Sequence, residues 1–274
     1  MNQIAFGRET PGGKASMPFS GEQPTVRPGK VFSTLRKPGN AAIFLVSFLT
    51  YLMGIFPSMV FALPTDPIVQ SGSVTIDTVS PEKMNIYQST NKAIIDWNSF
   101  NIDTTEHVDF QLSQGGVTLN RITGNDPSQI LGKMTSNGDL WVVNPNGIFF
   151  GNNAQVDVRG LVATTSNITN SNFLSGNYNF DIPSSFSNSI VNQGTITAAE
   201  GGLVALVAPG VQNMGVINAR LGKVSLASGK TFTLDFYGDQ LINLGIDSKV
   251  VDQVTGMNGE ALSSLGTNSG SIFA

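Results

Sequence analysis

The only histidine, His107, sits in Thr104-Thr105-Glu106-His107-Val108-Asp109, with carboxylates close on both sides. Those residue types could hold a metal ion or share a proton in acid–base work. Zinc would then rest on one histidine and carboxylates alone, a poor set for either a structural or a hydrolytic site. His107 therefore reads as a surface residue on a polar strand edge. Nucleophilic triads need a histidine beside a positioned Ser or Cys, and the chain contains no cysteine. Asp235, Asp239 and Asp247 fall in one region, yet no spacing aligns two of them with a base, as a polysaccharide-cleaving site requires. No Gly cluster leads into a helix-period segment to cradle phosphate, and no loop has calcium-ligand spacing. The expectation is a binding protein without metal or cofactor.

The residues that remain informative build turns and strands. In Leu140-Trp141-Val142-Val143-Asn144-Pro145-Asn146-Gly147-Ile148-Phe149-Phe150-Gly151, two runs of β-formers flank a tight-turn tetrad. Asn144 can accept from the backbone two residues on, Pro145 presets φ, Asn146 tolerates the bridge or left-handed region, and Gly147 closes the turn without steric cost. Charged residues make up only 12% and Gly numbers 30, which argues against a helical bundle and for short strands joined by Gly/Asn turns.

The second half repeats itself. Ile190-Val191-Asn192-Gln193-Gly194-Thr195-Ile196-Thr197-Ala198, then Gly202-Leu203-Val204-Ala205-Leu206-Val207-Ala208, returns at Val211 to Ala219, 21 residues on, with Gly222 to Ser228 behind it, and Asn268-Ser269-Gly270-Ser271-Ile272 starts another copy. A leucine-rich frame and its helix-forming side are absent, so the period indicates an all-β, right-handed parallel β-helix. At about 20 residues per coil and ~4.8 Å of rise, 212 residues would give a rod on the order of 50 Å long. Asn192, Asn213 and Asn268 would stack with their amides bonded along the pile, a structural role. Val117 to Ile122 alternates at period two, and Phe173-Leu174-Ser175-Gly176-Asn177-Tyr178-Asn179-Phe180 breaks the rhythm, reading as a hairpin projecting from the body or as a long loop with buried aromatics.

Residues 1–62 hold six basic and two acidic residues; the remainder holds nine and seventeen, a net charge of −8 that repels phosphate backbones and makes nucleic acid an unsuitable partner. Ala41 to Ala62 carries no charge. It is long enough to span a bilayer, and equally fits a secretory signal whose helix is broken at Pro57-Ser58, with Val60 and Ala62 at −3 and −1. Cleavage is expected after Ala62, leaving no stable membrane span; a retained anchor is the alternative. The domains are thus 1–62, an extended signal peptide, and 63–274, the β-helix. The chain stops inside a repeat unit, which predicts further repeats beyond it.

The block Asn144-Pro145-Asn146-Gly147-Ile148 resembles the signature of the haemagglutination-activity domain that opens the secreted partner of two-partner secretion systems, the filamentous haemagglutinin type. Asn120 to Gly132 and Asn137-Gly138 add to the likeness; the family's early Asn-Pro motif is matched loosely, with Asp126 between Asn125 and Pro127. The resemblance covers about residues 63–274. It implies N-terminal capping strands, in which the segment Ala93 to Ile102 would sit, and passage through the periplasm. A dedicated outer-membrane β-barrel transporter with periplasmic recognition domains would then pass the chain unfolded. The family also implies folding outside, as an adhesin or haemagglutinin with a host-cell or surface receptor; some members are haemolysins or toxins. Exposed strand edges in residues 63–110 and the Phe173–Phe180 segment suit docking to the transporter, by strand addition for instance. The runner-up is a polysaccharide-acting enzyme on the same architecture.

Overall fold

Short apolar strands cannot each bury a face alone, and this chain buries them by winding. The structure, a computed structural model, describes residues 63–235, 243–248, 250, 253–256 and 259–274. The expected leader and its cleavage point after Ala62 lie outside them.

Two strands come first, β1 (Ile68–Ser71) and β2 (Val74–Ser80). The first coil is β3 (Lys83–Gln88), β4 (Lys92–Trp97) and a bridge at Ile102. The second is β5 (His107–Leu112), β6 (Val117–Ile122) and β7 (Ser128–Ile130), and the third β8 (Lys133–Ser136), β9 (Asp139–Val143) and β10 (Ile148–Phe150). The fourth runs through β11 (Gln155–Val158) and β12 (Gly160–Thr164), leaves the coil for helix α1 (Asn170–Ser175) and β13 (Tyr178–Phe180), and returns as β14 (Ser189–Asn192). The fifth is β15 (Thr195–Ala198), β16 (Leu203–Ala208) and β17 (Gly210–Asn213). The sixth is β18 (Val216–Asn218) and β19 (Lys223–Ser228), a second excursion through β20 (Thr231–Asp235) and β21 (Asn243–Ser248), and β22 (Gly266–Asn268); β23 (Ser271–Phe273) follows.

Successive coils pair in parallel to make three faces: a first sheet β2-β3-β5-β8-β11-β15-β18-β23, a second β1-β4-β6-β9-β12-β16-β19, and a third β7-β10-β14-β17-β22. This is a parallel β-helix of about six turns. At ~4.8 Å per turn the stack is about 30 Å, shorter than the repeat arithmetic gave, because the excursions and the cap consume residues without adding coils.

Register makes the core a set of rows. Through the first sheet run Met84, Val108, Met134, Val156, Ile196, Ile217 and Ile272, each over the next. In the third sheet one row changes character: Ile102, Ile130 and Phe150 give way to Asn192, Asn213 and Asn268. The pile is closed at its start by β1 and β2, which pair antiparallel with β4 and β3. An open parallel edge would template pairing with other chains, and the reversed strands end it. The stretch Ala93 to Ile102, expected in the cap, belongs to the first coil beneath it.

A second apolar cluster lies on the outer side of the second sheet, where Ile94, Leu119, Trp141, Val143, Val162, Ala205 and Val207 are buried under Phe173, Phe180, Phe232 and Leu234 from the excursions. That cover explains why Val117 to Ile122, a period-two strand by sequence, is almost wholly buried on both sides. The extra-helical element is an antiparallel sheet β13-β20-β21, whose hairpin is β20–β21. Residues 173–180 are helix and strand, with Phe173 and Phe180 fully buried rather than projecting. Three-residue strands with so much aromatic area are held only by lying on the sheet. Helix α1, the one helix among the described residues, is capped by Thr169 and by Gly176 at φ +83°.

Candidate functional site

The Asn144–Ile148 block forms the corner where the third coil leaves the second sheet for the third. The Gly147 amide donates to the Asn144 carbonyl at 3.1 Å, closing a β-turn, and Gly147 has φ +104°. Asn146 keeps a negative φ, so its importance lies in its side chain. Asn144 is completely buried. Its Oδ1 accepts from the Asn146 amide at 2.9 Å, an Asx-type contact. Its Nδ2 reaches into the preceding coil, donating to the Asp126 carbonyl and to Ser128 Oγ, each at 3.0 Å. Asn146 Nδ2 donates to the Gly124 carbonyl at 2.9 Å. The Pro145 carbonyl accepts from Ser184 Oγ at 2.8 Å and Asn188 Nδ2 at 3.1 Å, on the chain returning from the first excursion. Ile148 points inward, fully buried between Ser128 and Ile190 of neighbouring coils. One tetrad thus ties three consecutive coils together.

Asn125 and Pro127 form the same corner one coil earlier. Asn125 is exposed and Pro127 half-buried; with Asn146, Asn188 and the exposed Phe186 they line a concavity of about 340 Å³. The two Asn-Pro segments, Asn125 to Pro127 and Asn144-Pro145, are therefore neighbours in space although one lies a coil further along the sequence. Asn192, Asn213 and Asn268 stand in register: Asn192 Nδ2 donates to Asn213 Oδ1 at 2.8 Å, and Asn213 Nδ2 to Asn268 Oδ1 at 2.7 Å. Asn192 and Asn213 are fully buried, so each amide satisfies the next where water is excluded.

His107 lies on the outward side of β5. Its Nε2 is 2.7 Å from Thr135 Oγ1, and that hydroxyl donates to Asp109. With the hydroxyl proton directed at Asp109, His107 Nε2 must donate to Thr135, so the ring cannot act as its base. Burial, with Lys133 and Lys83 nearby, holds the His107 pKa below its ordinary value despite Asp109. For Asp109 burial works upward, but hydrogen bonds from Thr135 and Gln111 with the His107 and Lys83 charges hold it lower than usual. Glu106 points away, buried and accepting from the Asp103 amide at 2.7 Å. Among the described residues no group of three or more His, Asp or Glu is placed to hold a metal ion. Asp235 and Asp247 stand towards opposite ends of the β20–β21 pairing, and Asp239 lies outside the described residues.

Sequence reasoning missed what pins the excursion. Arg121, outward on β6, donates to Asp96, Asn167, the Ile168 carbonyl and Asn170 at 2.8–3.0 Å. Lys92, outward on β4, donates to the Phe173 and Leu174 carbonyls at 2.8 and 3.0 Å, closing the end of α1, and lies 5.0 Å from the Tyr178 ring centre. A lone arginine in the apolar alternation of Val117 to Ile122 was the available sign.

A family model described as TPS secretion domain matches residues 64–272. Two heme/hemopexin-binding proteins of Haemophilus influenzae are similar: one is 41% identical over 110 residues, covering 40% of this chain and 12% of its own, and the other 33% identical over 219 residues, covering 77% and 24%. The chain thus spans a quarter or less of the length of these relatives. The crystal structure of the HMW1 secretion domain from Haemophilus influenzae matches with a TM-score of 0.65 at 33% identity, covering 77% of this chain and 53% of that one.

Proposed function

From the premise that this chain belongs to the TPS secretion domain family, we propose that residues 63–274 direct their own export and nucleate folding outside the cell. Members of that family are the export-directing domains of two-partner secretion exoproteins, secreted by way of the periplasm. The leader, residues 1–62, delivers the chain to the general secretory route and is removed after Ala62. Periplasmic domains of an outer-membrane β-barrel transporter then take the N-terminal segment, and the chain crosses unfolded. The supporting observation is the capped start of the stack. Residues 68–80 form antiparallel strands with exposed Ile68, Val69 and Val79, and each has a free edge open to strand addition. Once outside, the cap gives the first coil a partner, and each later coil has a finished edge to pair with.

Asn144, Pro145, Asn146, Gly147 and Ile148, with Asn125 and Pro127, act in this reading as the corner that lets coils two to four stack. The exported protein is of the adhesin or haemagglutinin type, and its surface receptor is bound by parts of it beyond the corner described. Two relatives are named for heme/hemopexin binding; this chain's single histidine is engaged with Thr135, which does not favour carrying that property across. The test is co-expression with the cognate transporter, following protein in medium and periplasm. Gly147→Val should lower the extracellular protein at unchanged synthesis, and deletion of 68–80 should abolish binding to the transporter's periplasmic domains. Unchanged export of both variants would overturn the reading.

A further inference from the structure

The outward side of the first sheet carries a second patterned surface over coils one to three. In register across three adjacent strands stand Lys83, His107 and Lys133. Two residues along come Asn85, Asp109 and Thr135, and two further Tyr87 and Gln111. With strands ~4.8 Å apart and ~3.3 Å per residue, the patch measures roughly 10 Å across and 13 Å along. Its far end opens into a concavity of about 440 Å³ lined by Tyr87, Gln111, Ser113 and Asn137 among others. Tyr87 is 40% exposed, and its hydroxyl accepts from Asn85 Nδ2 at 3.0 Å. Among the described residues neither Lys83 nor Lys133 has an ion-pair partner.

We propose that this face binds a short acidic oligosaccharide, its sulfate or carboxylate groups on the Lys83–His107–Lys133 row and a sugar ring against Tyr87. Three chemistries are laid out in the order such a ligand presents them. Lys83 and Lys133, on either side of His107, meet fixed negative charge, and His107 joins them once protonated. The middle row offers Asp109 and Thr135 oxygens to sugar hydroxyls. Tyr87 supplies an apolar ring face with a polar tip. The acids around the row, Asp109 beside His107, Glu82 before Lys83 and Asp77 opposite Asn85, limit the patch to a short ligand, as does the net charge of −8 on residues 63–274. A long polyphosphate chain would cross that acidic surface; a short glycan touches the cation row and leaves it. This reading is independent of the export role, since the patch is on a sheet face and the proposed docking edge is not.

The single histidine makes a direct reporter. With the full chain, His107 ring resonances are followed by NMR while a heparin-derived hexasaccharide, neutral maltohexaose or inorganic sulfate is added at constant ionic strength. The expected result is a saturable shift with the sulfated hexasaccharide alone, and a His107 pKa raised in the complex. Affinity should then be about two- to fivefold higher near pH 5.5 than near pH 8, the range of one exposed charge pair. Lys133→Gln should weaken binding about two- to fivefold, and Tyr87→Ala about two- to tenfold; unchanged amide spectra would show both variants folded. Equal binding of maltohexaose, equal effect of sulfate alone, or full affinity in folded Lys133→Gln would each overturn the proposal.

Discussion

Replacing Asn144 with Ala removes the amide around which the corner is organised. Three well-formed bonds are lost, to the Asp126 carbonyl, Ser128 Oγ and the Asn146 amide, at 2.9–3.0 Å, with a weaker one to Asn146 Nδ2 at 3.3 Å. Each net bond is worth about 0.5–1.5 kcal/mol, and the partners left dry cost more than partners that regain water. Asn144 is fully buried and Ser128 is 1% exposed, so Ser128 regains none. The sum is about 2–4 kcal/mol, a large part of the ~5–15 kcal/mol a native domain has. Asn125→Ala at the same corner one coil earlier removes an exposed side chain and should cost under ~0.5 kcal/mol. The assay is urea unfolding of the full chain followed by fluorescence of Trp97 and Trp141, the only tryptophans, one in the first coil and one over the second sheet. A loss below about 1 kcal/mol for Asn144→Ala, or equal losses for the two variants, would refute the view that the buried amide, rather than the turn backbone, holds the coils together.

Three other outcomes are expected. Asn213→Ala breaks the amide row on both sides and strands the buried Asn192 amide, while the exposed Asn268 amide regains water, costing about 1–3 kcal/mol in the same unfolding assay, with Asn213→Gln failing to rescue because the longer amide overpacks the row. Trp141→Ala opens the cluster shared with Phe173, Tyr178 and Phe180 and should cost about 3–5 kcal/mol, with faster proteolysis around residues 170–180. Stability should fall on acidification: His107 has a folded pKa below its unfolded ~6.5, so the unfolded chain binds more protons as pH drops from ~6.5 through the folded pKa, and Asp109, also lowered, acts in the same direction below ~3.9. His107→Gln should flatten the upper part of that pH profile in thermal melts.

Legibility in the sequence followed distance along the chain. The 21-residue repeat placed β14 to β19 because each unit there carries its own strands and turn, and Asn144 to Gly147 announced a turn through local preferences of Asn, Pro and Gly. Residues 173–180 misled, since aromatics around a Gly-Asn look like a hairpin when their true partners, Trp141 on one side and Phe232 on the other, lie 32 residues or more away. The first coil hid for a related reason. Ala93 to Ile102 reads as a strand wherever it is put, and only pairing with β1 and β6 decides that it lies under the cap. The neighbouring of Asn125 and Asn146 needed the coil length between them, which the irregular first half does not display.

The excursions change what kind of solenoid this is. A repeat stack in which each coil touches only its neighbours has a stability close to a sum of nearest-neighbour terms, and can fray from its newest end. Here α1, leaving the fourth coil, is gripped at its end by Lys92 of the first and at Asn170 by Arg121 of the second. Strand β13 from that same excursion is paired by β20, which leaves the sixth. The Phe180 and Phe232 rings stack with centres 4.4 Å apart at that junction. Coils one to six are therefore joined along one side by contacts that skip neighbours. Until residues 231–235 arrive, Phe180 and the second sheet's outer apolar face lack part of their cover. A chain emerging from its N-terminus would assemble the inner rows coil by coil, each step reversible at small cost, and close the outer cluster only with β20. After that closure the early coils cannot loosen without breaking the aromatic cluster as well, so the last excursion fixes coils made long before it.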